Sequence, residues 1–161
     1  MRFVFACLAI LAATAAHAAT IIVVRHADRD TSAMTSDVPL NARGRQRAEA
    51  LARMLADAGV RYIYTTEVKR TQQTAEPLSA RTHVRIQVVA GADVQKLAGI
   101  LKLLRPDDVA LVVGHSDTVP AIVSALGGST APFGEAEFDR MLIVHTEAGR
   151  PTTVLTLRYG D

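Results

Sequence analysis

The most constraining feature of this chain is the alternation of short apolar runs with longer amphipathic stretches. The runs are rich in β-branched residues, which is typical of strands buried on both faces: Ile21–Val24, Val60–Tyr64, Val84–Val89 and Val109–Val113. The stretches between them repeat apolar residues at helical spacing, which predicts helices after Asn41, over Val68–Ser79, and through the regions 94–104 and 119–126.

This pattern predicts an α/β fold, a three-layer α/β/α sandwich around a mostly parallel sheet, because crossover connections place helices on both faces. Met141–Val144 and Thr153–Leu157 flank a turn around Gly149 and predict a hairpin, which adds an antiparallel edge. Asn41 is expected to cap its helix, and Pro77 to disturb the end of the next one. The arginines of the first predicted helix are expected to be solvated: Arg43, Arg45, Arg47 and Arg53.

The N-terminal segment has the features of an export signal. Arg2 gives a positive start, Phe3–Ala16 is apolar, and Ala16-His17-Ala18 supplies small residues where a signal peptidase reads them. The apolar run is about 14 residues, short of the roughly 20 needed to span a bilayer. We therefore expect a signal peptide over residues 1–18, a domain over residues 19–161, and a periplasmic or secreted protein without stable membrane insertion. The alternatives are an uncleaved anchor and a buried first helix.

Composition argues against several kinds of site and partner. Cys7 is the only cysteine and lies in the predicted signal, so we expect a domain without a disulfide, a thiol nucleophile or a thiolate metal site. A net charge of +2, an aromatic content of 4% and the lack of Trp argue against a nucleic-acid partner. The sequence leaves the oligomeric state open.

Polar clusters follow the carboxyl ends of predicted strands, where the binding crevice of an open α/β sheet lies. They are Arg25-His26, Thr65–Arg70 and Gly114-His115. Arginine forks match phosphate oxygens, and a neutral imidazole is a nucleophile toward phosphorus. These residue types therefore suit an oxyanion with several charged oxygens, such as a phosphoryl group, which arginines can stabilise without a metal.

Each of these residues also has an ordinary role open to it. Taken singly, His26 is equally a satisfied histidine at a strand end, and His115 is equally part of a tight turn. Arg25 and Arg70 are equally surface charges. A zinc site on the two histidines is conceivable, but acidic ligands at metal-like spacing are not evident.

Four ordered segments between Ile21 and Leu126 resemble motifs of the histidine phosphatase superfamily, which has the phosphoglycerate-mutase-like fold. The segments are Val23-Val24-Arg25-His26-Ala27, Leu40-Asn41-Ala42-Arg43-Gly44, the stretch Thr66–Ala75, and the stretch Val112–Pro120. Asn41 stands where the family usually has threonine, and Thr66 stands where it usually has serine.

The resemblance implies a role for each matching residue. His26 would be the nucleophile that forms a phosphohistidine, which water later hydrolyses. The phosphoryl oxygens would be bound by Arg25, Arg70 and His115. The entrance of the phosphate site would be lined by Arg29 and Asn41. Members of the family need no metal or organic cofactor.

The resemblance leaves the general acid open, although a positioned acid contributes about 10²–10⁴-fold to the rate. In much of the family a glutamate after the third strand serves, but Val88–Ala92 contains none. Asp93 is the first candidate, with capping of the next helix as its alternative role. Asp117 is the second candidate and is equally a potential cap. Asp28 and Glu67 are outside candidates.

We therefore expect an exported phosphatase that hydrolyses a phosphomonoester through a phosphohistidine on His26. Two alternatives stay open: a non-catalytic module that binds phosphate or a phosphorylated ligand in the same pocket, and a protein-phosphohistidine phosphatase. Short connections argue against a mutase, because they leave little chain to retain a bisphosphorylated intermediate.

Overall fold

The computed structural model of the protein describes residues 18–32 and 35–160. The predicted signal peptide up to residue 17, with Cys7, lies outside the described residues. None of the described helices is long and apolar enough to cross a membrane. The elements follow one another as β1 (Ala19–Arg25), α1 (Ala42–Leu55), β2 (Val60–Thr65), α2 (Lys69–Thr82), β3 (Ile86–Val88), α3 (Val94–Lys102), β4 (Val109–Gly114), α4 (Thr118–Ala125), β5 (Arg140–Thr146) and β6 (Thr153–Arg158).

The strands form a mixed sheet in the order β3-β2-β4-β1-β5-β6. The neighbours β3, β2, β4 and β1 are parallel, as crossover helices require. β5 pairs antiparallel with β1, and β6 pairs antiparallel with β5 through the predicted hairpin. The α/β class, the mostly parallel sheet and the antiparallel edge are therefore confirmed.

Alternate residues of the central strand β1 pack against opposite helical layers. Ile21 and Val23 share an apolar cluster with buried residues of α3 and α4, whereas Ile22 and Val24 share another with buried residues of α1 and α2. This is the period of two expected for a strand covered on both faces, and it produces the predicted three layers.

Two boundaries near the site follow from local chemistry. Asn41 caps α1 as predicted, since its Oδ1 accepts from the backbone N of Gly44 at 2.8 Å. A Cβ on Gly44 would meet the carbonyl oxygen of Asp28 at 2.1 Å, so only glycine allows α1 to approach the segment after β1 this closely.

Other boundaries differ from the prediction. α2 continues past Pro77 to Thr82, and the buried neighbours Ala75 and Leu78 stabilise it on either side of the proline. β3 is confined to Ile86–Val88, because the sheet register pairs only these residues with the end of β2.

The prediction that Arg47 is solvated is wrong. Its side chain is 5% exposed, and its Nε donates to Asp28 Oδ2 at 2.7 Å. Its Nη1 donates to the carbonyl oxygens of Tyr159 and Gly160 at 3.1 and 2.9 Å. These acceptors offset the loss of hydration of the guanidinium group. Arg47 therefore ties the end of the chain to the segment that follows β1.

Candidate active site

The site forms where three adjacent parallel strands end. The register places Arg25, at the end of β1, beside Gly114, at the end of β4, and β2 ends on the far side of β4. The chain beyond β1 continues along β4, because the backbone N of His26 donates to the carbonyl of Gly114 at 2.9 Å. The carboxyl edge of the sheet thus brings the predicted polar clusters together.

His26 is buried, and its hydrogen bonding determines which nitrogen is free. Nδ1 lies 2.8 Å from the carbonyl oxygen of Ala27, and a carbonyl only accepts, so Nδ1 carries the proton and Nε2 keeps its lone pair. Burial lowers the pKa of His26 to about 3, and the charges of His115 and Arg70 act in the same direction. The hydrogen bond to Ala27 opposes these effects. The imidazole is therefore neutral at neutral pH.

His115 lies directly beside His26, with ring centroids 5.3 Å apart and the planes at 64°. Its Nε2 is 3.0 Å from Thr66 Oγ1, and its Nδ1 is 3.5 Å from Arg70 Nη2. Its backbone N donates to Thr118 Oγ1 at 2.7 Å, and a Cβ on Gly114 would meet that same hydroxyl at 2.7 Å. The glycine before the histidine is therefore needed for this close turn.

Opposing charges act on His115. Burial is the main cause that lowers its pKa, and Arg70 adds to the effect. The carboxylates of Asp117 and Glu67 act in the opposite direction.

Arg25 is buried and is held by a loop from a distant part of the chain. Its Nη1 donates to the carbonyl oxygens of Gly134, Glu135 and Glu137 at 2.9, 3.0 and 3.1 Å. Its guanidinium carbon lies 4.3 Å from the ring centroid of Phe138, a favourable cation–π contact. Burial lowers the pKa of Arg25, followed by the effect of the neighbouring Arg29 charge.

Arg70 approaches the histidines from the first turn of α2. Its Nη1 donates to the carbonyl of Ser36 at 3.0 Å. Burial lowers its pKa, and Arg29 adds to this effect. Among the described residues, the Nε atoms of Arg25 and Arg70 are both buried without a hydrogen-bond partner. Two cationic groups with unused N–H donors beside neutral imidazoles form an environment that an oxyanion would satisfy.

An open cleft of about 580 Å³ adjoins this cluster. Arg29 and Asn41 line it, together with Arg25 and Phe138. Asn41 Nδ2 donates to the carbonyl of Arg29 at 3.1 Å, which connects the cap of α1 to the rim of the cleft. The structure thus places both predicted entrance residues beside the site, with the side chain of Arg29 exposed.

The candidate acids occupy different positions. Asp93 is exposed, and its side chain makes no capping hydrogen bond, so its alternative role as a side-chain cap is wrong. It lines a small apolar cavity beside Thr66 and Gly114. Asp117 Oδ1 accepts from the N of Thr118 at 2.8 Å at the start of α4.

The outside candidates are both engaged as acceptors. Glu67 Oε2 accepts from the N of Gly91 at 2.8 Å, and backbone hydrogen bonds lower the pKa of Glu67. Asp28 is ion-paired with Arg47 at 2.7 Å. Of all these carboxylates, Asp117 and Glu67 act electrostatically on His115.

The loop over residues 129–139 is a part of the site that sequence reasoning missed. Phe138 lies 5.8 Å from His26 between ring centroids. Arg140 holds the loop from its other side: its Nη1 and Nη2 donate to the carbonyls of Ala131 and Pro132, and it pairs with Glu137. The sequence offers no periodicity here, and the loop lies more than a hundred residues from Arg25.

The described residues contain no group of three or more His, Cys, Asp or Glu side chains that could hold a metal ion. The arginines of the site can bind an anion, and the free Nε2 of His26 can attack it.

Two solved structures with this fold are phosphatases. The protein histidine phosphatase SixA complexed with tungstate is 20% identical, with a TM-score of 0.72 over 86% of this chain and 96% of its own. A mycobacterial glucosyl-3-phosphoglycerate phosphatase is 15% identical, with a TM-score of 0.70 over 88% of this chain and 99% of its own. Residues 21–93 match the sequence profile of the histidine phosphatase superfamily (branch 1). The profile covers a little less than half of the chain, and the two solved structures share the fold over most of it.

Proposed function

We propose that this protein is a phosphatase that transfers the phosphoryl group of a small phosphorylated substrate to Nε2 of His26 and then to water. The observation that carries the proposal is the free lone pair of Nε2 on the buried His26, beside Arg25, Arg70 and His115. The match of residues 21–93 to the histidine phosphatase profile and the fold shared with two phosphatases support it.

The proposed reaction has two steps. In the first, Nε2 attacks phosphorus, the N–P bond forms, the ester P–O bond breaks, and the leaving oxygen takes a proton. In the second, water attacks the phosphohistidine, the N–P bond breaks, and inorganic phosphate leaves. Arg25 and Arg70 stabilise the charge on the phosphoryl oxygens in both steps. No metal ion is needed, because these cations supply the positive charge.

The contacts of the candidate acids favour a second class of substrate for the same site, namely phosphoramidates, whose leaving group needs less protonation. Glu67 has a lowered pKa, so it is poorly suited to donate a proton, and the carboxylate of Asp28 is engaged by Arg47 at 2.7 Å. Asp117 Oδ1 is engaged as the acceptor of a 2.8 Å hydrogen bond from the N of Thr118. A phosphoramidate such as phosphohistidine in a protein needs less help from an enzyme acid, because its leaving imidazole is a better leaving group than an alkoxide.

We also propose that the protein is exported. The apolar N-terminal segment and its small residues at Ala16 and Ala18 support this proposal. An envelope or extracellular location favours a small phosphorylated substrate over a phosphohistidine protein. Export is tested by fractionating cells that express the tagged full chain and sequencing the N-terminus of the product.

Turnover separates these proposals from a non-catalytic binding module. The purified protein should release phosphate from p-nitrophenyl phosphate in the presence of a chelator, and the His26→Ala variant should not. Activity that disappears with the chelator would contradict the metal-free reaction, and full activity of His26→Ala would contradict the nucleophile. Tungstate binding without turnover of any phosphomonoester, aryl phosphate or phosphoramidate would establish the binding module instead.

A further inference from the structure

A chain of hydroxyl groups behind His115 restricts where protons can lie. Thr71 Oγ1 is 2.8 Å from the carbonyl oxygen of Val68 and 3.1 Å from that of Thr66, and both carbonyls only accept. The single hydroxyl hydrogen of Thr71 is therefore donated to a carbonyl. In its 2.9 Å contact with Thr66 Oγ1, Thr71 Oγ1 must then be the acceptor.

The same sequence of donors and acceptors determines which nitrogen of the His115 imidazole carries a proton. Thr66 has one hydroxyl hydrogen, which Thr71 accepts, so Thr66 Oγ1 is left to accept from His115 Nε2 at 3.0 Å. Nε2 therefore carries a proton. The other nitrogen, Nδ1, lies 3.5 Å from Arg70 Nη2, and a guanidinium only donates, so the lone pair of neutral His115 is on Nδ1. The two histidines of the site thus have opposite tautomers.

The tautomer of His115 imposes a condition on anion binding. Nδ1 is the nitrogen of His115 that faces Arg70, since Nε2 is hydrogen-bonded to Thr66. A lone pair there repels a phosphoryl oxygen, whereas an N–H donates to it. We propose, resting on the phosphate site assigned above, that Thr66 and Thr71 hold neutral His115 in the Nε2–H form, so that a phosphoryl dianion binds together with one proton taken up at Nδ1.

The charges that face His115 come from every element around it. Arg70 of α2 and Arg25 of β1 disfavour the added proton, and Asp117 before α4 and Glu67 after β2 favour it. Neutral His26 contributes the adjacent ring. Because burial lowers the pKa of His115 in the free protein, the proton is absent at neutral pH before the anion arrives. The anion itself then stabilises the imidazolium.

Proton uptake is measured directly with tungstate, a dianion that does not change its own charge near neutral pH. Calorimetric titration of the full protein in two buffers of different ionisation enthalpy gives the number of protons bound per tungstate. We expect about one proton at about pH 7.5, and an affinity that weakens about tenfold per pH unit above the pKa of free His115. No proton uptake and a pH-independent affinity would overturn the proposal.

Variants of the hydroxyl chain make the test specific. In Thr71→Val the hydrogen of Thr66 becomes free to point at Nε2, which allows neutral His115 to carry its proton on Nδ1, so proton uptake should fall clearly below one per tungstate. Thr71→Ser keeps the hydroxyl and should behave as wild type. So should Thr82→Val, a matched control in the same helix, whose hydroxyl donates to the carbonyl of Leu78. Unchanged uptake in folded Thr71→Val would contradict the hydroxyl chain.

Imidazole nitrogen shifts of the wild-type protein decide the tautomer without any variant. We expect Nε2–H for His115 and Nδ1–H for His26 in the absence of an anion, and Nδ1–H for His115 would overturn the proposal. A protein with the expected tautomers and proton uptake but no turnover would overturn only the proposed phosphatase activity. An active enzyme with Nδ1–H on free His115 would overturn only the present inference.

Discussion

Replacing Arg47 by methionine removes the cation of a buried ion pair and keeps most of the side-chain volume. Asp28 loses a partner at 2.7 Å, in a pair whose side chains are 5% and 11% exposed, and two backbone carbonyls lose their donor. Removing one partner of a buried pair costs about 3–5 kcal/mol. We expect the lower end, about 3 kcal/mol, because Arg43 remains 3.6 Å from the carboxylate of Asp28.

Urea unfolding followed by circular dichroism measures this loss, and for a domain of this size it corresponds to a fall in Tm of roughly 10 °C. Arg43→Met is the matched control, since Arg43 is 74% exposed and a surface pair contributes at most about 1 kcal/mol. The double variant Arg47→Met/Asp28→Asn should regain part of the loss, because no unpaired buried charge remains. A loss for Arg47→Met no larger than that for Arg43→Met would refute the reasoning.

Further predictions concern pH and proton transfer. Burial lowers the folded-state pKa of His26 from 6.5 to about 3, so folding stability should fall as pH drops through this range. Acid unfolding of His26→Asn should show a smaller loss of stability. A loss equal to that of the wild type would contradict the lowered pKa of His26. Hydrogen bonding from Arg140 lowers the pKa of Glu137 from 4.5 to about 2, so the stability it contributes should be lost as pH falls between these values, and Glu137→Gln should remove that part of the pH dependence. If Asp117 is the proton donor, Asp117→Asn should slow an alkyl phosphate about 10²-fold or more and an aryl phosphate much less; equal losses, or a larger selective loss in Asp93→Asn, would exclude it.

The fold was predictable because its central strands, β1 and β4, are buried on both faces. Such strands are nearly continuous apolar runs, as Ile21–Val24 and Val109–Val113 are, and the helical stripes between them require parallel crossovers. Element ends were less predictable, since they depend on tertiary pairing. β3 ends at Val88, where its partner β2 ends at Thr65, and α2 passes Pro77 because packing outweighs one missing hydrogen bond.

The strand-end rule predicted that His26, His115 and the strand-end arginines lie together, because parallel strands align their carboxyl ends. The rule gave no information on side-chain contacts with residues outside the sheet. The burial of Arg47 depends on the carboxylate of Asp28 and on carbonyls at the chain end, and helical periodicity contains neither. Phe138 reaches His26 through an irregular loop, for which sequence spacing has no rule.

Trapping the covalent intermediate tests the central proposal most directly, because it identifies the atom that takes the phosphoryl group. The enzyme is mixed with a labelled phosphorylated substrate and quenched in alkaline denaturant, since phosphohistidine is labile in acid. Peptide mass spectrometry should then locate one phosphoryl group on His26, formed and lost at the rate of turnover, and find none in His26→Asn. Turnover without an adduct, or an adduct on His115 or Ser116 alone, would contradict the account.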